Sequence, residues 1–384
     1  MKILMTADTV GGVWTYAISL CRALNQLGVE VGLATMGAPM TEQQRRQSAQ
    51  LSATTIFESN FRLCWMEDSE QDVNAAAQWL LELQEEYKPD LVHLNDLAHG
   101  DLNWHAPVLM VVHSCVYTWW QATLGRDPDE QRWKQYKSMV TASAQSVDTL
   151  VAPTYAMLNS FQNVYGSVRR SQIIYNGRDW PALPASDTKP ILEEPQNIPS
   201  APYIFAAGRL WDQAKNLALL ASISADLSWP VYVAGQSEDP NGGSAEFENV
   251  HCLGMLAEDQ LAPWLYQSQI YVAPAFYEPF GLAILEAARA GNALVLSDIP
   301  SLREVWEDAA TYVNPHDAQS LNTALASLTD DPELRRLQAA KAQRRAARYS
   351  ESAMAQGYYD TYHQMLTSRH SPSKTSFASA GVTL

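Results

Sequence analysis

A chain of 384 residues exceeds what one hydrophobic core usually organises and points to two domains. A hydrophobic fraction of 47% with 18% charged residues is that of an ordinary soluble globular protein, and no apolar run approaches the ~18 residues of a membrane-spanning helix. The formal charge of −16 argues against nonspecific nucleic-acid binding and gives no attraction to anionic lipid, so an anionic substrate would have to be captured by a local positive pocket.

Residues 1–5 run into a strand without a signal-peptide pattern, and Cys21, Cys64, Cys115 and Cys252 show neither CxxC nor metal spacing. The expected setting is a reducing cytoplasm, with at most peripheral membrane contact. Apolar runs at 3–7, 29–35, 90–94, 107–113 and 149–152 have the flanks of buried parallel strands, with helical patterns at 15–27, 74–87, 135–144 and 155–164 between them. One more strand is expected at 171–175. This βαβ series implies a doubly wound parallel sheet.

Residues 179–202 hold six prolines without periodicity and read as a linker. Alternation then resumes, with strands at 203–207, 231–234, 250–253, 269–273 and 293–296. Helices are expected at 217–225, 258–266, 281–290, 301–306 and 318–328. Two more follow, from Asp331-Pro332 to about 348 and from 351 to 366. Residues from about 368 onward read as a loose tail.

Several junctions carry chemistry. Gly11 and Gly12 join the first strand to the first helix, where backbone amides can reach a ligand at the carboxyl edge of the sheet. No third glycine completes GxGxxG, which weakens a nicotinamide-cofactor reading. His113 ends an apolar strand at the edge facing the second domain. Trp119 and Trp120, with Trp14 and Tyr16, offer apolar faces for a sugar ring. Arg209 and Lys215 lie across one loop, and a bidentate guanidinium with a point-like ammonium suits a diphosphate. Asp127-Pro128-Asp129 spells DxD but follows no apolar strand, so it reads as a solvated turn. The basic residues between Arg335 and Arg348 read as a solvated helix face.

The richest stretch runs from Ala275 to Ala288. The amides of Phe280, Gly281 and Leu282 at a helix start form an anion seat, and Gly281 lets a ligand approach the backbone. Glu278 and Glu286 flank that seat with seven residues between them. At about 8 Å and an effective dielectric near 20, a carboxylate and a phosphate repel by roughly 2 kcal/mol, so these carboxylates suit sugar hydroxyls better than phosphate. An anion seat between two hydroxyl acceptors describes a site for a sugar joined to a diphosphate.

Together these motifs resemble the retaining glycosyltransferases of family 4, which have the two-Rossmann GT-B architecture. The Gly-Gly turn, the strand-end His, the Arg…Lys pair and Glu-x7-Glu occur in the family's order, although the Arg–Lys gap is one residue longer than its commonest form. The resemblance implies an α/β fold of two tandem Rossmann-like domains around an interdomain cleft. Residues 1–178 would form the acceptor domain and 203–350 the nucleotide-sugar domain, with a final helix at about 351–367 crossing back to the first.

By the same resemblance, Glu278 would hold donor-sugar hydroxyls, Glu286 the ribose, and the region of Leu256 the nucleobase. His113 would lie near the reaction centre, and the Gly-Gly turn would approach the donor diphosphate and acceptor. Arg209, Lys215 and the amides near Gly281 would stabilise the leaving diphosphate without metal or cofactor. The implied partners are a nucleotide-sugar donor, UDP- or GDP-linked, and a hydroxyl acceptor. No nucleic-acid partner is expected, and the oligomeric state is not readable from the sequence. A nucleotide-sugar epimerase of the same architecture is the alternative, separable by product analysis with donor alone. A catalytically inactive scaffold subunit would bind no nucleotide.

Overall fold

A computed structural model of the chain describes residues 1–181, 198–239 and 242–370, the side chains of 369 and 370 excepted. The first sheet contains β1 (Lys2–Asp8), β2 (Glu30–Met36), β3 (Thr54–Glu58), β4 (Leu91–Leu94), β5 (Val108–Val111), β6 (Thr149–Ala152) and β7 (Ser171–Ile173). Its spatial order is β3-β2-β1-β4-β5-β6-β7, and every pairing is parallel. Helices α1 (Gly12–Gln26), α2 (Glu42–Ser48), α3 (Glu70–Tyr87), α4 (Val116–Leu124), α5 (Gln131–Ser146) and α6 (Tyr155–Tyr165) connect these strands. Ile3, Leu4 and Met5 in β1 are all buried, because helices cover both faces of a parallel sheet.

The second sheet contains β8 (Ile204–Ala207), β9 (Val231–Ala234), β10 (His251–Cys252), β11 (Ile270–Ala273), β12 (Ala293–Ser297) and β13 (Thr311–Val313). Its order is β10-β9-β8-β11-β12-β13, again parallel. Its helices are α7 (Leu217–Ile223), α8 (Glu258–Gln267), α9 (Leu282–Arg289), α10 (Pro300–Trp306), α11 (Ala318–Asp330) and α12 (Pro332–Ala346). In each sheet the connections reverse direction beside the first strand, at β1/β4 and at β8/β11. Ligands bind outside the carboxyl ends of strands at such points, and both crevices open into one cleft.

The last helix, α13 (Glu351–His370), belongs to the first core. Met354, Tyr358, Tyr362 and Met365 recur at helical spacing and are buried there against α1. The chain crosses itself on the way: a Cβ at Gly177 would lie 2.0 Å from the Ser350 carbonyl oxygen, so only glycine permits the passage. Because α13 continues to His370, residues 368–370 are helical and not the start of a tail. The remainder of the expected tail, 371–384, and the linker residues 182–197 lie outside the described residues.

The sequence reading missed α2, β3, α4 and β13. Helix α2 has no apolar period and forms on a capping box, Thr41 with Gln44. Strand β3 lies at the sheet edge and is only partly covered, so its pattern is diluted. The strand expected at 250–253 shrinks to two residues, also at an edge. Among the described residues no helix is long and apolar enough to cross a membrane. Asp127 and Asp129 are exposed, and the basic residues of α12 include ones tied to their own domain, such as Arg345 Nε donating to the Val305 carbonyl at 2.6 Å.

Candidate active site between the two sheets

The second domain contributes the charged side of the cleft. Arg209 follows β8 and Lys215 ends a 3-10 turn, Gln213–Lys215. That turn starts at Asp212, which is 4% exposed and acts as a hub. Its Oδ2 accepts from Arg209 Nη2 at 2.6 Å, while Oδ1 accepts from the Ala214 amide at 3.0 Å. Burial works against this carboxylate, but Arg209 and Lys215 prevail and hold its pKa below the ordinary value. Lys215 Nζ lies 2.6 Å from Glu278 Oε2, so the expected cation and the expected hydroxyl acceptor are paired.

Helix α9 begins directly behind this pair. Gly281 is its N-cap with φ +93°, and a Cβ there would lie 2.7 Å from Ile284 Cδ1. A cavity of about 270 Å³ is lined by Arg209, Lys215, Glu278 and Phe280–Leu282 on one side. Gly12, Tyr16 and His113 line the other. Gly11 lies beside it, where a Cβ would be 3.6 Å from Arg209 Nη1.

His113 is held by a buried polar chain. Asn95 Nδ2 donates to the Thr6 carbonyl at 2.8 Å, which turns Oδ1 toward two imidazoles. His113 Nε2 is 2.8 Å and His93 Nε2 3.1 Å from that oxygen, so each Nε2 carries a proton. His93 Nδ1 then accepts from the Tyr362 hydroxyl at 2.6 Å. Burial pushes both imidazoles down to about 3, leaving them neutral near pH 7. The Tyr16 ring meets His113 edge-on, with centroids 4.4 Å apart.

A second cavity of about 300 Å³ opens mainly on the first domain, closed on one side by Arg209, Trp211 and Asp212, and shares His113, Trp119 and Arg209 with the first. Asp8 at the end of β1 lines it, with Oδ1 accepting from the Val10 amide at 3.0 Å. Burial pushes the Asp8 carboxyl up to about 7. Asp96 lines the same cavity but is neutralised by His99, whose Nδ1 lies 2.7 Å from Oδ1. Burial opposes both charges in this pair, and their mutual attraction prevails. Asp96 is held below its ordinary pKa and His99 above its own.

Not every expected residue reaches the cleft. Trp14 is 4% exposed and its Nε1 donates to Gln47 Oε1 at 2.7 Å. It offers no stacking face, because its position on α1 turns it into the core. Tyr16 is likewise buried, but it lines the donor cavity beside His113. Trp119 spans the domains, donating from Nε1 to Asp212 Oδ1 at 2.9 Å, whereas Trp120 lines the first-domain cavity. Leu256 packs on the second core and lines neither cavity. Glu286 is also absent from both linings and is turned to Arg178. Asp8, Asn95, Asp96, Arg178 and Asp212 were missed by sequence reasoning. Of these only Asp212 left a local signal, as an N-cap three residues before the candidate Lys215.

Comparison with known proteins bears on the family and the fold. The family model described as Glycosyltransferase Family 4 matches residues 10–179, and that described as Glycosyl transferases group 1 matches residues 201–331. The chain is 29% identical over 194 residues to an N,N'-diacetylbacillosaminyl-diphospho-undecaprenol alpha-1,3-N-acetylgalactosaminyltransferase of Campylobacter jejuni; the match spans 49% of this chain and about half, 51%, of that relative. It is 25% identical over 391 residues to D-inositol 3-phosphate glycosyltransferase 2 of Catenulispora acidiphila, covering 93% of this chain and 90% of the other. In fold it is similar to a sucrose-phosphate synthase from Thermosynechococcus elongatus, with TM-score 0.77, 18% identity, and 96% and 100% of the two chains covered. It is similar also to Anabaena HepE solved with UDP-glucose, with TM-score 0.72, 18% identity, and 95% and 100% covered. The chain belongs to glycosyltransferase family 4 and has the two-domain GT-B architecture.

Proposed function

We propose that this protein transfers a sugar from a UDP- or GDP-linked donor to a hydroxyl acceptor, with retention of anomeric configuration and without a metal or cofactor. The observation that carries the reading is the convergence of Arg209, Lys215, Glu278 and the start of α9 on one cavity opposite His113. UDP and UDP-glucose are present in the Anabaena HepE structures that share the fold, which supports a nucleotide-sugar donor.

In the transfer the bond between the sugar's anomeric carbon and the diphosphate oxygen breaks, and the acceptor oxygen bonds to that carbon. The acceptor's proton passes to the departing diphosphate oxygen on the same face. Charge growing on that oxygen meets Arg209, Lys215 and the amides at Gly281 and Leu282, already oriented before reaction. Asp212 holds the guanidinium in place, and Glu278 serves the sugar hydroxyls. His113, neutral and fixed through Asn95, presents a polar but uncharged group near the sugar. Glu286, the expected ribose partner, must exchange or share its Arg178 contact to reach a nucleotide. We place the reaction in the cytoplasm.

The adjoining first-domain cavity favours transfer over epimerisation, because an epimerase needs no second pocket. Calorimetric titration with UDP and GDP tests the reading, with Arg209→Ala expected to weaken the bound nucleotide by at least about tenfold. Unchanged affinity in that variant, or no binding of either nucleotide by the parent protein, removes it. Product analysis by NMR reports the anomeric configuration, and an undiminished rate in chelator tests metal independence.

A further inference from the structure

The first-domain cavity has a composition unlike that of the donor cleft. Its walls are indole, phenol and aliphatic side chains, among them Trp65, Trp120, Trp133 and Tyr136. Its anionic groups are Asp8, Asp96 and Asp212, the last paired with Arg209. Asp96 is already satisfied, accepting from Thr6, His99 and the Ala98 amide. Asp8 differs: Oδ1 holds the Val10 amide, and no protein donor is within hydrogen-bonding distance of Oδ2 among the described residues.

Two of the three arginines in the lining, Arg132 and Arg209, have carboxylate partners. Arg209 is paired with Asp212 on the donor side. Arg132 is exposed and paired with Glu67 and Glu130, and the exposed Arg62 donates to the Glu67 carbonyl. A phosphate placed against Asp8 would be repelled by its carboxylate, and the arginine of the lining that lacks a carboxylate partner among the described residues, Arg62, is exposed to solvent. An uncharged hydroxyl would find an open acceptor oxygen instead, and a flat apolar group would find aromatic walls.

We propose that this cavity takes an uncharged acceptor, a hydroxyl group carried on a flat apolar body such as an aryl glycoside, and that Asp8 accepts a hydrogen bond from that acceptor. The assignment rests on the glycosyl-transfer reading, since it fills the second substrate's place beside the shared wall of His113, Trp119 and Arg209. Burial raises the Asp8 carboxyl to about 7, so the group is an acceptor in the alkaline range, and binding is best measured at pH 8.

The test is calorimetry at pH 8 on the full chain saturated with whichever of UDP or GDP binds. The probes are 4-nitrophenyl β-D-glucoside, glucose and glucose 6-phosphate. The nitrophenyl glucoside is expected to bind at least about tenfold more tightly than either of the others. Asp8→Asn and Trp120→Ala should each weaken it by about tenfold while nucleotide affinity stays within about threefold. Equal or tighter binding of glucose 6-phosphate or glucose overturns the proposal. So does failure of the nitrophenyl glucoside to bind, or its unchanged affinity in both variants. Absence of nucleotide binding in the parent protein would instead overturn the transfer reading itself.

Discussion

Arg178 Nε lies 2.5 Å from Glu286 Oε1, and each side chain is more than nine-tenths buried. Arg178 follows the first domain's last strand, while Glu286 is on α9 of the second, so one ion pair ties the crossover to the candidate site. Burial raises the Glu286 carboxyl while Arg178 opposes that shift. Arg178 also donates to Glu258 Oε2 at 2.7 Å and to Ser19 Oγ at 3.1 Å.

That inequality of partners makes the two truncations unequal. Arg178→Met strands a buried carboxylate and should cost about 3–5 kcal/mol. Glu286→Gln leaves the guanidinium with Glu258 and Ser19 and should cost about 1–3 kcal/mol. Urea unfolding of both variants and the double variant measures this. A larger loss for Glu286→Gln would contradict it.

Glu278 should affect the sugar more than the nucleotide. Glu278→Gln is expected to leave nucleoside diphosphate affinity within about threefold and to weaken the intact nucleotide sugar by about tenfold or more, the loss of one charged hydrogen bond. Titration of the variant with diphosphate and diphosphate sugar in parallel gives the ratio. Equal weakening of both would assign Glu278 to orienting Lys215 alone.

Gly281 holds φ +93° where α9 starts, with Ile284 in the path of any Cβ. Gly281→Ala should therefore lose about 1–3 kcal/mol of stability through backbone strain and weaken nucleotide binding as the seat shifts. Thermal unfolding with and without UDP or GDP reads both effects.

Acid should destabilise the protein partly through His93. Its folded pKa is about 3, below the ordinary histidine value near 6.5, so in that interval the unfolded chain binds the extra proton. Stability therefore falls as pH drops from about 7 toward 3, by at most about 1.4 kcal/mol per pH unit for this group. His113 acts with the same sign. Asp8 acts with the opposite sign, since its raised carboxyl takes a proton first in the folded state. Urea midpoints at pH 7.5 and 5 should show a shallower acid loss in His93→Gln and a steeper one in Asp8→Asn than in the parent chain.

Self-contained signals are legible in the sequence. Buried parallel strands declare themselves as apolar runs because both faces are covered. Arg209, Lys215 and Gly281 lie in the segments that follow β8 and β11, where the sheet topology itself creates a crevice. Helix α2 and strand β3 escaped because a capping box and a sheet edge carry little periodicity.

The sequence by itself determined two α/β units in tandem and the set of charged residues that one of them brings to the cleft. The tertiary structure alone decided which carboxylates are free to act. Glu278 is held by Lys215, Glu286 by Arg178 and Asp96 by His99, while Asp8 keeps one oxygen open beside aromatic walls. Whether a charge is satisfied depends on distant partners, 108 positions away for Arg178 and Glu286 (286 − 178), and no local pattern records a neighbour brought in by folding.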